Sequence, residues 1–143
     1  MRTLFSVAVF VVVALAGVQS SFAEVASVFV KGDPQQCWLD VKQVVLRHSH
    51  VVLENERKKT IGTNYMTILG GDYIAMVQVS QDKVKDEIGC RISVSSRERK
   101  VYTVDDSSST VTREPTDFQA SLRVVNEIAA EVKKMKESRG RSR

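Results

Sequence analysis

The protein has 143 residues, of which 43% are hydrophobic and 27% are charged, and its formal net charge is +4. This composition is that of an ordinary globular domain, and it excludes a disordered, collagen-like or cysteine-stapled small protein. The length allows one domain, and because the long apolar stretch lies at the N-terminus, a membrane protein with several spans is excluded as well.

The first 23 residues have the pattern of a secretory signal peptide. Arg2 is followed by an apolar run from Leu4 to Val18, and small residues, Ser21 and Ala23, then stand at the −3 and −1 positions of a cleavage site. An uncleaved membrane anchor is the alternative, but the run is at the short end for crossing ~30 Å of hydrocarbon, and no basic residues follow it. We expect cleavage after Ala23 and a periplasmic or secreted protein.

A strand and a helix are predicted at the start of the mature chain. Ala26 to Lys31 is a short, β-branched run that ends at Gly32, as a strand does. Asp33 then suits a helix N-cap, Pro34 the first helical position, and Gln36 the third position of a capping box. The helix is expected to run to about Arg47. Its apolar stripe consists of Cys37, Val41, Val44 and Val45, with Trp38 beside them.

The middle of the chain predicts an antiparallel sheet. Residues 60–69 alternate, with Ile61, Thr63, Tyr65, Thr67 and Leu69 on one face. Gly70-Gly71-Asp72 predicts a tight turn into a second alternating segment, 73–79. We further expect strands at 51–53, 90–95 and 101–104, a polar connection over 81–89, and a flexible loop over 105–109.

The chain is expected to close with an amphipathic helix and a basic tail. Thr116 and Gln119 form a capping box, and the predicted stripe comprises Phe118, Leu122, Val125, Ala129 and Val132. We expect the helix to end near Lys136, because the following residues offer no apolar surface to bury. The predicted organisation is a signal peptide over 1–23, a single domain over 24–136 and a disordered tail over 137–143. Candidate anion-binding residues are Lys133, Lys134, Lys136, Arg139, Arg141 and Arg143.

The two cysteines, Cys37 and Cys90, predict a structural disulfide. An isolated pair in an exported protein is usually oxidised. Closing a loop of about 54 residues stabilises a fold by roughly 4 kcal/mol in the chain-entropy model. A redox pair or a thiolate metal ligand is the alternative, but the Cys-x-x-Cys spacing and the neighbouring histidines of such sites are missing.

The element order β-α-β-β-β-(β)-α predicts an α+β fold, in which two helices cover one face of an antiparallel sheet of four to five strands. Trp38 in the first helix, the strand after it, and the Lys-Thr-Ile-Gly-Thr stretch at 59–63 resemble the helix-grip-like domains of bacterial envelope accessory proteins of the BamC type. The resemblance covers most of the mature chain and implies an accessory role without catalytic residues. It does not carry over a lipid anchor, because no cysteine lies near the predicted cleavage site.

No constellation of residues predicts catalysis, a metal or a cofactor. His48 and His50 share one side of an extended segment, but a metal site needs a third ligand, so polar residues at a helix end are the simpler interpretation. Ser107–Ser109 beside two aspartates lack a Gly-x-Ser-x-Gly or Ser-x-x-Lys motif. Gly70-Gly71 lacks the lysine of a phosphate loop. Acid–base catalysis would require one carboxyl of a pair to be removed from water, and the carboxylate pairs lie in polar settings.

We therefore expect an exported, non-enzymatic binding or accessory module of the bacterial cell envelope that engages a protein or glycan through the edge or open face of its sheet. One alternative is an electrostatic binder of anionic lipid or lipopolysaccharide through the basic tail. Another is a small secreted hydrolase or enzyme inhibitor. The basic run at 57–59 and the residues Arg97, Arg99 and Lys100 would form a second basic patch if the fold brings them together. Nucleic acid is not an expected partner, because no strand face is rich in aromatic residues.

Overall fold

The computed structural model describes residues 24–105, 108–113 and 117–142, so the predicted signal peptide lies outside the described residues. Eight elements follow one another in the order β-α-β-β-β-β-β-α. They are β1 (Val25–Lys31), α1 (Pro34–His48), β2 (Ser49–Asn55), β3 (Thr60–Ile68), β4 (Gly71–Val84), β5 (Glu87–Asp105), β6 (Ser108–Arg113) and α2 (Phe118–Arg141). The predicted α+β class is confirmed, with six strands instead of four to five.

All strand pairs of the sheet are antiparallel, and the strand order is β1-β5-β4-β3-β2. The long strand β5 connects this arrangement, because it pairs with three strands, β1, β4 and β6. Residues 87–98 of β5 pair with β4, residues 89–95 also pair with β1, and residues 99–105 pair with β6. Strands β2 to β6 are connected in sequence, as expected for a sheet built from hairpins.

Both helices pack on one face of the sheet, which we call the inner face; the opposite one is the open face. α2 contacts mainly β1 and β5, and α1 lies over the middle of the sheet. The two helices run antiparallel, since Asp40 in the middle of α1 contacts Arg139 near the end of α2, whereas His48 at the end of α1 contacts Glu131, eight residues earlier in α2. The largest fully buried side chains between the layers are Trp38, Val41, Val44, Val45, Ile61, Met66, Val77, Ile92, Val94, Val124, Val125 and Ile128.

The start of α1 confirms the capping prediction. The Asp33 carboxylate accepts a hydrogen bond from the Gln36 backbone N–H at 3.0 Å, and Pro34 takes the first helical position. The predicted stripe of α1 is buried in full. α2 differs in detail, because its N-cap is Asp117 instead of Thr116 and its buried face is rotated by about one residue. Phe118 is consequently 42% exposed, while Val124 and Ile128 enter the core.

The predicted disorder from residue 137 is wrong for residues 137–141, which continue α2. The reason is a tertiary ion pair: Arg139 donates two hydrogen bonds, of 2.9 and 2.6 Å, to the two oxygens of Asp40. Asp40 is only 3% exposed, so its carboxylate requires a cation. The hydrogen bond to Asp40 raises the pKa of Arg139. A pattern confined to the tail does not reveal a partner 99 residues earlier in the chain.

Two predicted connections belong to strands. The polar span 81–89 is the end of a long hairpin, in which β4 and β5 meet at a turn with Lys85 and Asp86 at φ values of 50° and 65°. Asn-Gly is the usual sequence for such a turn, so Lys-Asp gave no turn signal. The segment 101–104 continues β5, and the serines expected in a flexible loop begin β6.

A β-bulge in β3 changes which residues face the core. Thr63 pairs with Ala75, but Met66 pairs with Tyr73, so β3 has one residue more than β4 between these pairs. Met66 is therefore fully buried, whereas Tyr65 lies on the open face and is 40% exposed. The prediction that Tyr65 shares a face with Ile61 is wrong for this reason.

We expect Gly89→Ala to destabilise the protein strongly, because β1 and β5 approach each other closely at this residue. A Cβ atom at Gly89 would lie 2.2 Å from the Val30 carbonyl oxygen and 2.7 Å from Cζ of Phe29. Relieving such overlap costs about 1–3 kcal/mol or more in the free energy of unfolding. Urea denaturation measures the effect.

The matched control is Gly140→Ala. A Cβ atom at this helical glycine meets nothing within 4 Å, so the substitution should stabilise slightly. Equal stability of the Gly89→Ala and Gly140→Ala variants would contradict the packing described for β1.

Candidate functional site

Exposed apolar side chains gather on the open face of the sheet. Of the nine large hydrophobic residues that are exposed in the described part of the chain, four lie there: Val25, Leu53, Tyr65 and Met76. Met76 alternates with buried Ala75 and Val77, which fixes its direction away from the helices. The helices cover the other side of the same strands, so this face of the sheet is the one left open to solvent.

A concavity of about 410 Å³ lies in the centre of the open face. Its floor is Gly62, because a Cβ atom there would lie 3.3 Å from both Leu53 Cβ and Met76 Cε. Leu53 and Met76, which are 52% and 42% exposed, and half-buried Ile74 form apolar walls. A glycine within a strand weakens the strand and typically marks a place where another group approaches the backbone.

Arg97 gives this concavity a positive charge. It is half-buried on the lining, and no described residue forms an ion pair or hydrogen bond with its guanidinium. The other two arginines on this side of β5 each contact another side chain. Arg91 donates to Asp82 at 2.7 Å, which lowers the pKa of that carboxyl, and Arg99 lies 4.9 Å from the centre of the Tyr65 ring. The concavity therefore combines apolar walls with one unsatisfied cation.

The predicted disulfide between Cys37 and Cys90 is present, and its two Cα atoms are 6.4 Å apart. Cys37 lies in the first turn of α1, and Cys90 lies near the start of β5. The bond fixes the helical layer to the strand that carries Arg97. A rigid scaffold of this kind keeps the open face in one shape before any partner arrives.

Trp38 fixes the edge of the sheet next to the concavity. Its indole N–H donates to the Glu56 carboxylate at 2.9 Å, and the ammonium groups of Lys42 and Lys59 lie 5.4 and 5.5 Å from its ring centre. Glu56 belongs to the turn between β2 and β3. The cluster thus holds the end of β2, the strand that supplies the Leu53 wall. The only sign of this cluster in the sequence was the single tryptophan beside the apolar stripe of α1.

We expect Glu56 to make the protein sensitive to acid. The hydrogen bond from Trp38, followed by that from Lys59, lowers the pKa of Glu56 from 4.5 to about 2. A carboxylate whose pKa is lower in the folded state stabilises fully above its unfolded pKa, and this stabilisation is lost as the pH falls from about 4.5 towards 2. Urea unfolding between pH 7 and pH 2 measures the loss.

Glu56→Gln should flatten this part of the pH profile, while Glu137→Gln, a change at an exposed residue, should leave it unchanged. An unchanged slope in Glu56→Gln would refute the role assigned to Glu56.

The two histidines do not come together as a metal site. His48 ends α1 and contacts both carboxylate oxygens of Glu131 on α2, at 3.0 and 2.9 Å, whereas His50 lies in β2. No group of three metal-ligating side chains occurs among the described residues. No described hydroxyl or thiol contacts the His48–Glu131 pair, which serves as a contact between the two helices.

The candidate anion-binding residues divide into two groups. Arg139 is bound to Asp40, and Lys136 donates to the Lys31 carbonyl oxygen. Three others, Lys133, Lys134 and Arg141, are exposed, and none of them forms an ion pair or hydrogen bond with a residue that the structure describes. Arg143 lies outside the described residues.

Among the described residues, the two basic segments do not come together as a second patch. Thr60, which follows the turn at 57–59, is aligned through Gln78 with Ser93 of β5. Arg97 lies four residues further along that strand, a distance of about 13 Å.

Among the described residues, no helix is long and apolar enough to cross a membrane.

These features define a two-layer α+β protein in which a helical pair covers one face of an antiparallel sheet and the other face carries an apolar concavity. No known protein-family model matches the chain, and no curated protein matches it significantly.

Proposed function

We propose that the mature chain is an exported, non-enzymatic binding module of the bacterial cell envelope that engages a protein partner through its open sheet face. The observation that carries the proposal is the concavity around Gly62, where exposed Leu53 and Met76 stand beside Arg97. Apolar side chains that are exposed together on a soluble surface commonly mark an interaction site. Export is supported by the signal-peptide pattern and agrees with the disulfide.

A protein fits this surface better than a glycan. Glycans stack on exposed aromatic rings, and the exposed aromatic residue that the structure describes on this face, Tyr65, is engaged by Arg99. The walls of the concavity are aliphatic or thioether groups, which favour apolar side chains of a partner. The resemblance to envelope accessory domains points in the same direction and remains a prediction.

The experiment compares two substitutions that place a carboxylate on opposite sides of the molecule. Met76→Asp changes a residue on the open face that is 42% exposed, and Leu39→Asp changes one on α1 that is 44% exposed. Each purified variant is used to capture partners from an envelope extract of the producing bacterium. We expect Met76→Asp to lose a protein that both the native protein and Leu39→Asp retain. Equal capture by all three, or capture of nothing, would overturn the proposal.

The end of α2 supports a second candidate function, the binding of anionic lipid or lipopolysaccharide. The supporting observation is that Lys133, Lys134 and Arg141 are exposed without a described partner. Truncation of the helix would remove the Arg139–Asp40 pair, so neutralising these three residues is the cleaner test. Equal sedimentation of the triple glutamine variant and the native protein with phosphatidylglycerol vesicles would refute this candidate.

A further inference from the structure

We infer that the partner segment carries a carboxylate next to an apolar side chain, so that the carboxylate pairs with Arg97 while the apolar group fills the concavity over Gly62. This inference rests on the proposed function and specifies the chemistry of the partner. It follows from the charge at the rim of the concavity, from the positions along β4 and β5, and from the poor fit of a second copy of the chain.

The charge at the rim requires an anion. Covering Arg97 with an apolar partner would remove its guanidinium from water without a compensating contact, which is costly. Three carboxylates that the structure describes at this side of the sheet are engaged elsewhere: Asp82 by Arg91, Asp72 by the Thr67 hydroxyl at 3.0 Å, and Glu87 by Lys31 at 3.0 Å. Since no described residue pairs with Arg97, we expect the bound segment to supply the carboxylate. A carboxylate matches a guanidinium with two parallel hydrogen bonds.

The strand register gives the distance between Arg97 and the apolar wall formed by Met76. Met76 pairs with Ser95 and Ile74 pairs with Arg97, so the cation lies one same-face position further along β5 than the Met76 wall. Neighbouring same-face positions of a strand are about 6.7 Å apart. Side chains three or four residues apart on a helix, with Cβ atoms roughly 5–6 Å apart, also span this distance. An acidic and an apolar residue with either spacing would engage both features at once.

A second copy of the chain does not supply this chemistry. If two open faces met about a two-fold axis, Arg97 and Arg99 of one copy would approach the arginines of the other, and like charges repel. The exposed apolar residues of α1, Leu39 and Leu46, have Gln43 and Lys42 between them, and the acidic residue of that stretch, Asp40, is buried and bound to Arg139. A partner of different sequence is therefore the better occupant.

Selection of peptides from a random 12-residue phage library, with the disulfide-bonded protein immobilised, tests the inference. We expect the selected sequences to be enriched in an aspartate or glutamate that lies two to four residues from a large apolar residue. The same selection against Arg97→Glu should instead enrich lysine or arginine at that position. Binding of a selected peptide to Arg97→Gln should weaken by about tenfold, the usual value of a charged hydrogen-bonded contact.

The outcomes separate the inference from the function on which it rests. Peptides that need Met76 but show no acidic enrichment would overturn the inference and leave the open face as a binding surface. Peptides that bind Met76→Asp and the native protein equally, or an empty selection, would overturn both. A dimer of the free protein in analytical ultracentrifugation that Arg97→Glu disrupts would make a second copy the occupant and overturn the inference as well.

Discussion

Replacing Trp38 with alanine is expected to lower the free energy of unfolding by about 3–5 kcal/mol, the usual cost of removing a large aromatic side chain from a core. Trp38 is fully buried in α1, and its loss also removes the hydrogen-bond donor of Glu56. Urea denaturation followed by far-UV circular dichroism measures the change. The effect should be among the largest of any single substitution, because the same side chain fills the core and holds the β2–β3 turn.

Trp38→Phe separates the two roles. Phenylalanine keeps most of the buried apolar volume but has no N–H group, so the loss of stability should be smaller than for alanine. The pKa of Glu56 should also rise, since the hydrogen bond from Trp38 is the main cause of its low value. If Trp38→Ala were as stable as the native protein, the described packing of α1 on the sheet would be wrong.

Removing the disulfide is expected to cost about 4 kcal/mol, because the bond closes a long loop and restricts the unfolded chain. Cys37 and Cys90 are 53 residues apart in the sequence. The measurement compares urea unfolding of the native protein, of the same protein in reductant, and of Cys37→Ala/Cys90→Ala. The latter two should lose similar amounts.

Mass spectrometry of the alkylated native protein provides the control. Two unmodified cysteines are expected, since both sulfurs are engaged in the bond. Two alkylated thiols in protein purified without reductant would contradict the structure at this point.

The features that the sequence could predict are those that depend on local chemistry. Asp33 and Pro34 signal the start of α1 because a cap and a first-turn proline act on neighbouring backbone groups. The alternation of Tyr73, Ala75, Val77 and Val79 on β4 follows from burial of one sheet face. The cysteine pairing could be predicted because the sequence has two cysteines, so each has a single possible partner within the chain.

The features that the sequence could not predict depend on partners that are distant in the chain. From the sequence, Arg139 is predicted to belong to a solvated tail. The structure shows that it binds the buried carboxylate of Asp40. The bulge in β3 places Tyr65 on the open face, and no composition rule signals an extra residue between Thr63 and Met66. The concavity likewise requires β2, β3, β4 and β5 in register, because its members come from all four strands.

The open face as the binding surface is tested most directly by photo-crosslinking in the intact envelope. A photoreactive amino acid is placed at Met76 on the open face, at Leu39 on α1, or at Lys134 on α2, three exposed positions on different surfaces. We predict one discrete protein adduct from position 76 that Arg97→Glu abolishes, and none from positions 39 and 134. Adducts from position 39 or 134 with none from position 76 would contradict the account.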